Sequence, residues 1–357
     1  QGKETMTICT ASIEVKSLKS VVALADKMTK KMIRKGLNNV SISLNGAAVI
    51  RWSDLEFDIQ TSLPCDHWGE DQTVIAPAGE ILQILRGTKS KRIQIETESG
   101  LTPSLESVFS SGSISRKLEP FTRMESVTNI KGETVVTHTL PETRQIDFSG
   151  EMIHLDAANF VRSIKALTHA IDMDCARYAL GGVHMEFSQG GVDLVSTDSM
   201  RLAIRSKITR GDYECKINVP FQALKNFMDL LPKKIAGEIT IYLREYNGGH
   251  MIVFQWEETA IQTPEIQGRF PRYQDVIPRC ENSACINRLE LLSIMEEMHS
   301  SQEDENRGID IKISSDLMTV KGTGMNRNSF KQLPIHCPGR VKFTIDPKFM
   351  ADALKSI

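Results

Sequence analysis

One short unit recurs three times in this chain and constrains its fold more than any other feature. An apolar strand runs into a proline and then into an amphipathic helix: VIAPAGEILQIL, INVPFQALKNFM and TIDPKFMADALK. Proline suits this junction, because the first turn of a helix has no intrahelical partner for the N–H that proline lacks. Pro77, Pro220 and Pro347 are 143 and 127 residues apart. A second landmark keeps the first of these steps: Ser53-Asp54-Leu55 and Thr197-Asp198-Ser199 are offset by 144 residues. Each proline also follows another helical stripe, beginning near 17, 156 and 285. Three matched αβ units predict three similar domains.

The stripes are read from spacing. Leu18, Val21, Val22, Leu24, Ala25 and Met28 form one helical face over 17–31, and Phe160, Val161, Ile164 and Leu167 form another behind Asp156, a residue type that caps helices. Strands are predicted between the helices, among them 40–44, 48–52, 57–61, 238–243, 251–256, 309–313 and 317–320. The third unit ends ten residues past its proline, at Ile357. The first two continue well beyond theirs, so the third domain is expected to be truncated.

The segment from Arg177 to Ile204, RYALGGVHMEFSQGGVDLVSTDSMRLAI, predicts a hairpin. Its strands are 178–187 and 191–197, with Gly190 and Gly191 available for the positive φ of a tight turn. Val183, Met185 and Phe187 alternate with Gly182, His184 and Glu186, which predicts one apolar and one wet face. The second strand enters Thr197-Asp198-Ser199-Met200-Arg201-Leu202. A soft methionine, an arginine and a leucine at one strand end suit a peptide pocket. The same spacing also describes an ordinary hairpin followed by a turn.

Several classes of function find no support in the residues. No apolar run approaches a membrane span, and no G-x-x-x-x-G-K or G-x-S-x-G motif is present. Asp172-Met173-Asp174 is a carboxylate pair in a turn, and His154, His169 and His184 fall on separate elements. The seven cysteines have no framework spacing, which predicts free thiols in a reducing compartment and no metal site. No cofactor is expected.

Net charge is only −2, but its distribution is uneven. The windows 16–31, 76–92, 156–171 and 220–234 hold 14 Lys or Arg against four acids. The helices of the third unit hold three bases against five acids. Basic helices in an otherwise acidic chain attract a polyanion, and few aromatics lie among them, so contact with a phosphate backbone fits better than base stacking. Solvated helix faces would also carry such lysines.

RYALGG, STDSMRLAI and the run GRFPRYQDVIP at 268–278 resemble the bacterial sliding clamp family, the beta subunit of DNA polymerase III. The resemblance is strong over 151–280, weaker over 6–125 and faint over 281–357. It implies an α+β fold of three similar sliding-clamp domains, with helices on the inner face and antiparallel sheets outside. The expected boundaries are 6–125, a linker at 126–146, 147–280 and an incomplete 281–357. It implies a DNA sliding clamp, a processivity factor without catalysis, forming a homodimer ring around duplex DNA in the cytoplasm, with no membrane partner. Replicative DNA polymerase and clamp loader would dock through linear peptide motifs. The alternative is a clamp-like peptide-binding scaffold that does not close around DNA; an enzyme using this fold is more distant.

The resemblance carries a peptide pocket onto Leu180, Thr197, Ser199, Met200, Arg201, Leu202, Pro271 and Val276, with Arg201 orienting the peptide's backbone or carboxylate. Ser199 and Met200 stand where the family usually has Gly and His. For DNA it points to Lys31, Arg177 and Tyr178, while charge and helical placement add Lys27, Lys30, Arg162 and Lys165. Ser300 and Ser301 fall where many clamps place apolar interface residues.

Overall fold

The computed structural model describes residues 8–357 except 30–38, 54–55, 99–106, 112–113, 119–122, 129–133, 140–144, 174–177, 207–213, 281–282, 302–307, 315, 324–327 and 338. The first repeat comprises β1 (Ile8–Glu14), α1 (Val15–Thr29), β2 (Asn39–Leu44), β3 (Ala47–Ser53), β4 (Asp58–Trp68), β5 (Gln72–Pro77), α2 (Ala78–Gly87), β6 (Arg92–Glu98), β7 (Ser107–Ser111) and β8 (Ile114–Leu118). Of the expected linker, most of a hairpin is described, β9 (Arg123–Thr128) paired with β10 (Thr134–Thr139). The second repeat has the same order: β11 (Glu151–Asp156), α3 (Ala157–Leu167), β12 (Gly182–Ser188), β13 (Gly191–Thr197), β14 (Leu202–Arg205), β15 (Cys215–Pro220), α4 (Phe221–Leu230), β16 (Glu238–Tyr246), β17 (Gly249–Trp256) and β18 (Thr259–Pro264). The third runs α5 (Arg288–Ser301), β19 (Ile309–Ser314), β20 (Leu317–Thr323), β21 (Asn328–Pro334), β22 (Val341–Ile345) and α6 (Pro347–Lys355). An isolated bridge, Cys285 to His336, stands where the other repeats have their first strand.

The chain forms two compact units. One takes residues 1–161, 187–191 and 209–267, and the other takes 162–186, 192–208 and 268–357. In the first, an antiparallel sheet runs β11, β16, β17, β18, β4, β1, β6, β7, β8, with β3, β2 and β5 branching from β4. The prediction ended β4 at Thr61, but the strand continues through Pro64 to Trp68. The reason lies in its neighbours. β4 pairs β18 over Asp58–Thr61 and β1 over Cys65–Trp68, so the proline falls between the two ladders, where its missing N–H costs little. At the seam, Thr61 and Thr259 share a hydroxyl hydrogen bond at 2.9 Å, and Gln262 Nε2 donates to Asp58 Oδ2 at 3.2 Å.

Leu18, Val21, Val22, Leu24 and Ala25 of α1 are buried as their spacing requires. Trp52 Nε1 donates to Met28 Sδ at 3.3 Å, which ties the end of the helix to β3. Asp156 caps α3, accepting from the Asn159 amide at 2.7 Å. The three prolines are not equivalent. Pro77 and Pro220 are themselves the N-caps of α2 and α4, without a side-chain hydrogen bond. Pro347 is one residue further in, behind Asp346, whose carboxylate accepts from the Lys348 amide at 2.8 Å. In the second repeat, Phe254 of β17 stacks on Phe160 of α3 at 5.8 Å and meets Phe227 of α4 at 6.0 Å, all three fully buried.

In the second unit, α5 and α6 pack on the sheet β21, β20, β19, β22. Leu291, Met295, Met298 and Ala351 meet Ile309, Ile311, Val320 and Leu333. Two of the three acids of α5 are engaged locally: Glu297 with Lys331 at 2.9 Å and Glu296 with Lys355 at 2.8 Å. The predicted first hairpin strand is shorter than expected. Tyr178–Leu180 is a 3-10 turn, and the strand begins at Gly182. The expected wet face is also corrected. His184 is buried because its ring stacks on Phe270 at 4.5 Å, and Glu186 accepts from Tyr273 Oη at 2.9 Å. No helix among the described residues is long and apolar enough to cross a membrane.

Candidate peptide-binding site

The site is built on the loop between β13 and β14. Thr197 and Leu202 pair across the ladder, and the four residues between them form a turn held by side chains. Thr197 Oγ1 donates to the Arg201 carbonyl at 2.6 Å and accepts from the Ser199 amide at 3.1 Å. Asp198 Oδ1 accepts from the Met200 and Arg201 amides at 2.9 and 2.8 Å. Thr and Asp therefore do the work their types suit, replacing ladder hydrogen bonds in a tight loop. Ser199 holds φ at +74°, the left-handed region where a glycine would be unstrained. Ser199→Gly is expected to raise stability by about 0.5–1 kcal/mol, the relief of left-handed strain less the entropy that glycine adds to the unfolded chain. Urea unfolding measures this, and an unchanged or lower midpoint would rule out strain at this turn.

The loop walls an open cleft of about 550 Å³, lined by Thr197, Ser199, Met200, Arg201, Leu202, Ile204, Val276, Ile277 and Pro278. Met200 is 77% exposed and Val276 68%, far more than unattached apolar side chains need to be. Beneath them Leu180, Val195, Phe270 and Tyr273 form a buried cluster against which Leu202 and Ile204 pack. The cleft thus has a buried apolar floor and an exposed apolar rim, the kind of surface that aliphatic and aromatic anchors fill.

Arg201 does not stand free over this cleft. Its Nε donates to Asp198 Oδ2 and its Nη1 to Asp352 Oδ2 of α6, both at 3.0 Å. The guanidinium also lies 4.2 Å from the Phe349 ring centre, a cation–π distance. Arg205 Nη2 donates to the Ser356 carbonyl at 2.9 Å. Burial alone would raise the Asp198 carboxyl, but the Met200 and Arg201 amides and the Arg201 charge outweigh it and hold the group below its ordinary range. Burial, then the Arg201 charge, pushes the His169 imidazole down, and its Nδ1 is buried without a partner among the described residues. The cleft therefore offers a partner apolar contact first, since its one arginine is already neutralised by two carboxylates.

Six of the eight residues expected in the pocket line the cleft. Leu180 lies under it in the buried cluster, and Pro271 is exposed away from the lining. Ile204, Ile277 and Pro278 were missed. Ile204 follows Leu202 by two residues on one strand, and Ile277-Pro278 completes the GRFPRYQDVIP run, so both signals were present. Of the residues expected at DNA, Lys27 is exposed in the last turn of α1, 4.0 Å from Asp229, and Arg162 and Lys165 are exposed on α3. Lys30, Lys31 and Arg177 lie outside the described residues, and Tyr178 opens the 3-10 turn before β12.

Residues 154–272, which include the loop of the cleft, match the family described as DNA polymerase III beta subunit, central domain. The beta sliding clamp of Treponema pallidum is 22% identical over 310 residues, covering 85% of this chain and 76% of that protein. Over residues 154–272 the chain is similar to the beta sliding clamp family. A sliding clamp of Bartonella birtlesii bound to griselimycin superposes with a TM-score of 0.81 at 18% identity, covering 98% of this chain and 90% of that one. The DNA polymerase III beta subunit of Thermotoga maritima gives 0.78 at 18% identity, with the same coverage. The fold is therefore the sliding-clamp fold, α+β with helices packed on antiparallel sheets.

Proposed function

We propose that this chain is a DNA sliding clamp, a non-enzymatic processivity factor that encircles duplex DNA without reading its sequence. The observation that carries this is the apolar cleft at Thr197–Ile204 and Val276–Pro278, in a chain whose residues 154–272 match the central domain of the DNA polymerase III beta subunit. Docked peptides of a replicative polymerase or a clamp loader would fill the cleft through apolar anchors. Tethering then raises the polymerase's effective concentration at its template without any catalytic step. Thr197, Ser199, Met200, Leu202 and Val276 form the contact surface in this proposal. Leu180 supports its floor, and Arg201 acts by holding the loop to α6 rather than by meeting a carboxylate.

The basic helices of the first two repeats support contact with a phosphate backbone, with Lys27, Arg162 and Lys165 as the described candidates. The proposal includes three domains, 6–125, 147–280 and 281–357, a homodimeric ring and a cytoplasmic setting. Light scattering on the protein at micromolar concentration is expected to give the mass of two protomers. Protein loaded on nicked circular DNA is expected to stay bound until the circle is linearised. A stable monomer that linearisation does not release would favour a peptide-binding scaffold that does not close around DNA.

A further inference from the structure

Met200 lies on the rim of the cleft and is 77% exposed, more than any other methionine among the described residues. Met152 follows at 62% and Met173 at 57%, and neither lines the cleft. By contrast, Met185, Met295 and Met298 are fully buried, and the Met28 sulfur accepts from Trp52 Nε1 at 3.3 Å. The exposure of Met200 is not that of a loose end. Its amide donates to Asp198 Oδ1 at 2.9 Å, and Ser199 before it holds a φ of +74°. The Arg201 carbonyl after it accepts from Thr197 Oγ1 at 2.6 Å. With the backbone tied on both sides, the loop presents the thioether to solvent at a set place on the rim.

The chemistry of the group adds to its position. A thioether reacts with peroxide without first losing a proton, whereas a thiol reacts as its thiolate. Burial, then the Glu265 and Glu151 charges, push the Cys215 thiol up to about 12, and burial also raises Cys9 and Cys65. Those sulfurs compete poorly for an oxidant, while Cys280 and Cys285 are exposed. The product differs from the reactant where the cleft is most sensitive. Met200 and Val276 make the rim apolar, and Arg201 is already neutralised by Asp198 and Asp352. A sulfoxide sets a polar acceptor there, which an apolar anchor strips of water without offering a donor.

We propose that Met200 is an oxidation site that regulates the cleft: hydrogen peroxide converts its thioether to the sulfoxide, and the sulfoxide weakens peptide docking. The sulfur lone pair attacks one peroxide oxygen. The O–O bond breaks as the S–O bond forms, and the second oxygen leaves as water after proton transfer. Sulfur loses two electrons and peroxide gains them. Methionine sulfoxide reductases, one for each sulfoxide epimer, reverse the step, so the change is a switch. The inference rests on the proposed docking of peptides at this cleft and adds its regulation.

The test treats the full chain with hydrogen peroxide and takes two readings. Peptide mapping by mass spectrometry follows the gain of one oxygen at each methionine. Fluorescence polarisation follows a labelled peptide carrying leucine and phenylalanine anchors. Met200 is expected to gain oxygen at least as fast as Met152 and Met173, and before Met185, Met295 and Met298. Peptide affinity is expected to fall about fivefold, less than for a full charge at this position. Dithiothreitol should leave the loss in place, because it reduces disulfides and sulfenic acids at the exposed Cys280 and Cys285 but not a sulfoxide. The two methionine sulfoxide reductases together should restore the affinity. Met152→Leu/Met173→Leu should lose as much as the natural chain. Met200→Leu, compared with itself before and after peroxide, should lose nothing. No oxygen at Met200 while Met152 is oxidised overturns the inference, as does an equal loss in Met200→Leu or an oxidised Met200 with unchanged affinity. Each of these results leaves the cleft as a peptide site. An untreated chain that does not bind the peptide removes the cleft reading, and this inference falls with it.

Discussion

Leu202→Asp is expected to weaken binding of an apolar linear peptide at least 100-fold. Leu202 lines the cleft and also packs on the buried cluster of Leu180, Val195, Phe270 and Tyr273. The substitution removes a leucine's burial, about 1.5–3 kcal/mol, and sets a charge where water is excluded when the peptide docks. Because Leu202 touches the floor as well as the rim, the variant also loosens the loop. Met200→Asp separates the two effects. Met200 is mostly exposed, so this variant should unfold at the same urea concentration as the natural chain and still bind peptide about tenfold more weakly, roughly 1.4 kcal/mol. Fluorescence polarisation with a labelled peptide decides the matter, and natural affinity in both variants would move the docking site elsewhere.

Phe254→Ala is expected to cost about 3–5 kcal/mol of stability. Phe254 is fully buried and touches the two helices of the second repeat through Phe160 and Phe227. Removing the ring opens a cavity among three aromatics that cannot collapse without moving a helix or the sheet. Phe254→Leu keeps most of the volume and should cost less than half as much. Urea unfolding of both variants tests this, and a loss below about 1 kcal/mol for the alanine would mean that the helices are held elsewhere. The consequence for function is positional, since these helices present the basic residues that the proposed DNA contact uses.

Much of this was legible in residue order. The helical stripe on α1 and the Asp156 cap appear where periodicity and side-chain chemistry put them, because a stripe and a cap involve neighbours within a turn or two. The turn of the β12–β13 hairpin was also readable, and Gly191 takes a φ of +122° there. Alternation misled at His184, which lies on the face expected to be wet. Period 2 reports which residues share a face, and Phe270, 86 residues away, decides what covers that face. The strand predicted over 57–61 runs on to Trp68, and the hand-over from β18 to β1 explains why it continues through Pro64.

The cleft divides in the same way. Its loop was visible in Thr197-Asp198-Ser199-Met200-Arg201-Leu202, since the Thr197 and Asp198 side chains accept and donate within four residues of themselves. Arg201's partners were not visible, because Asp352 and Phe349 are about 150 residues further along and nothing local marks them. By itself, then, the order of residues determined the threefold repeat, the helix faces, the caps and the shape of the loop, all of which depend on spacings of a few residues. Tertiary structure alone decided which strand seams the first two repeats together, what buries His184, and that the pocket's arginine is spent on α6. Those outcomes depend on which distant groups come within about 3–5 Å, and many sequences with the same local pattern would pair differently.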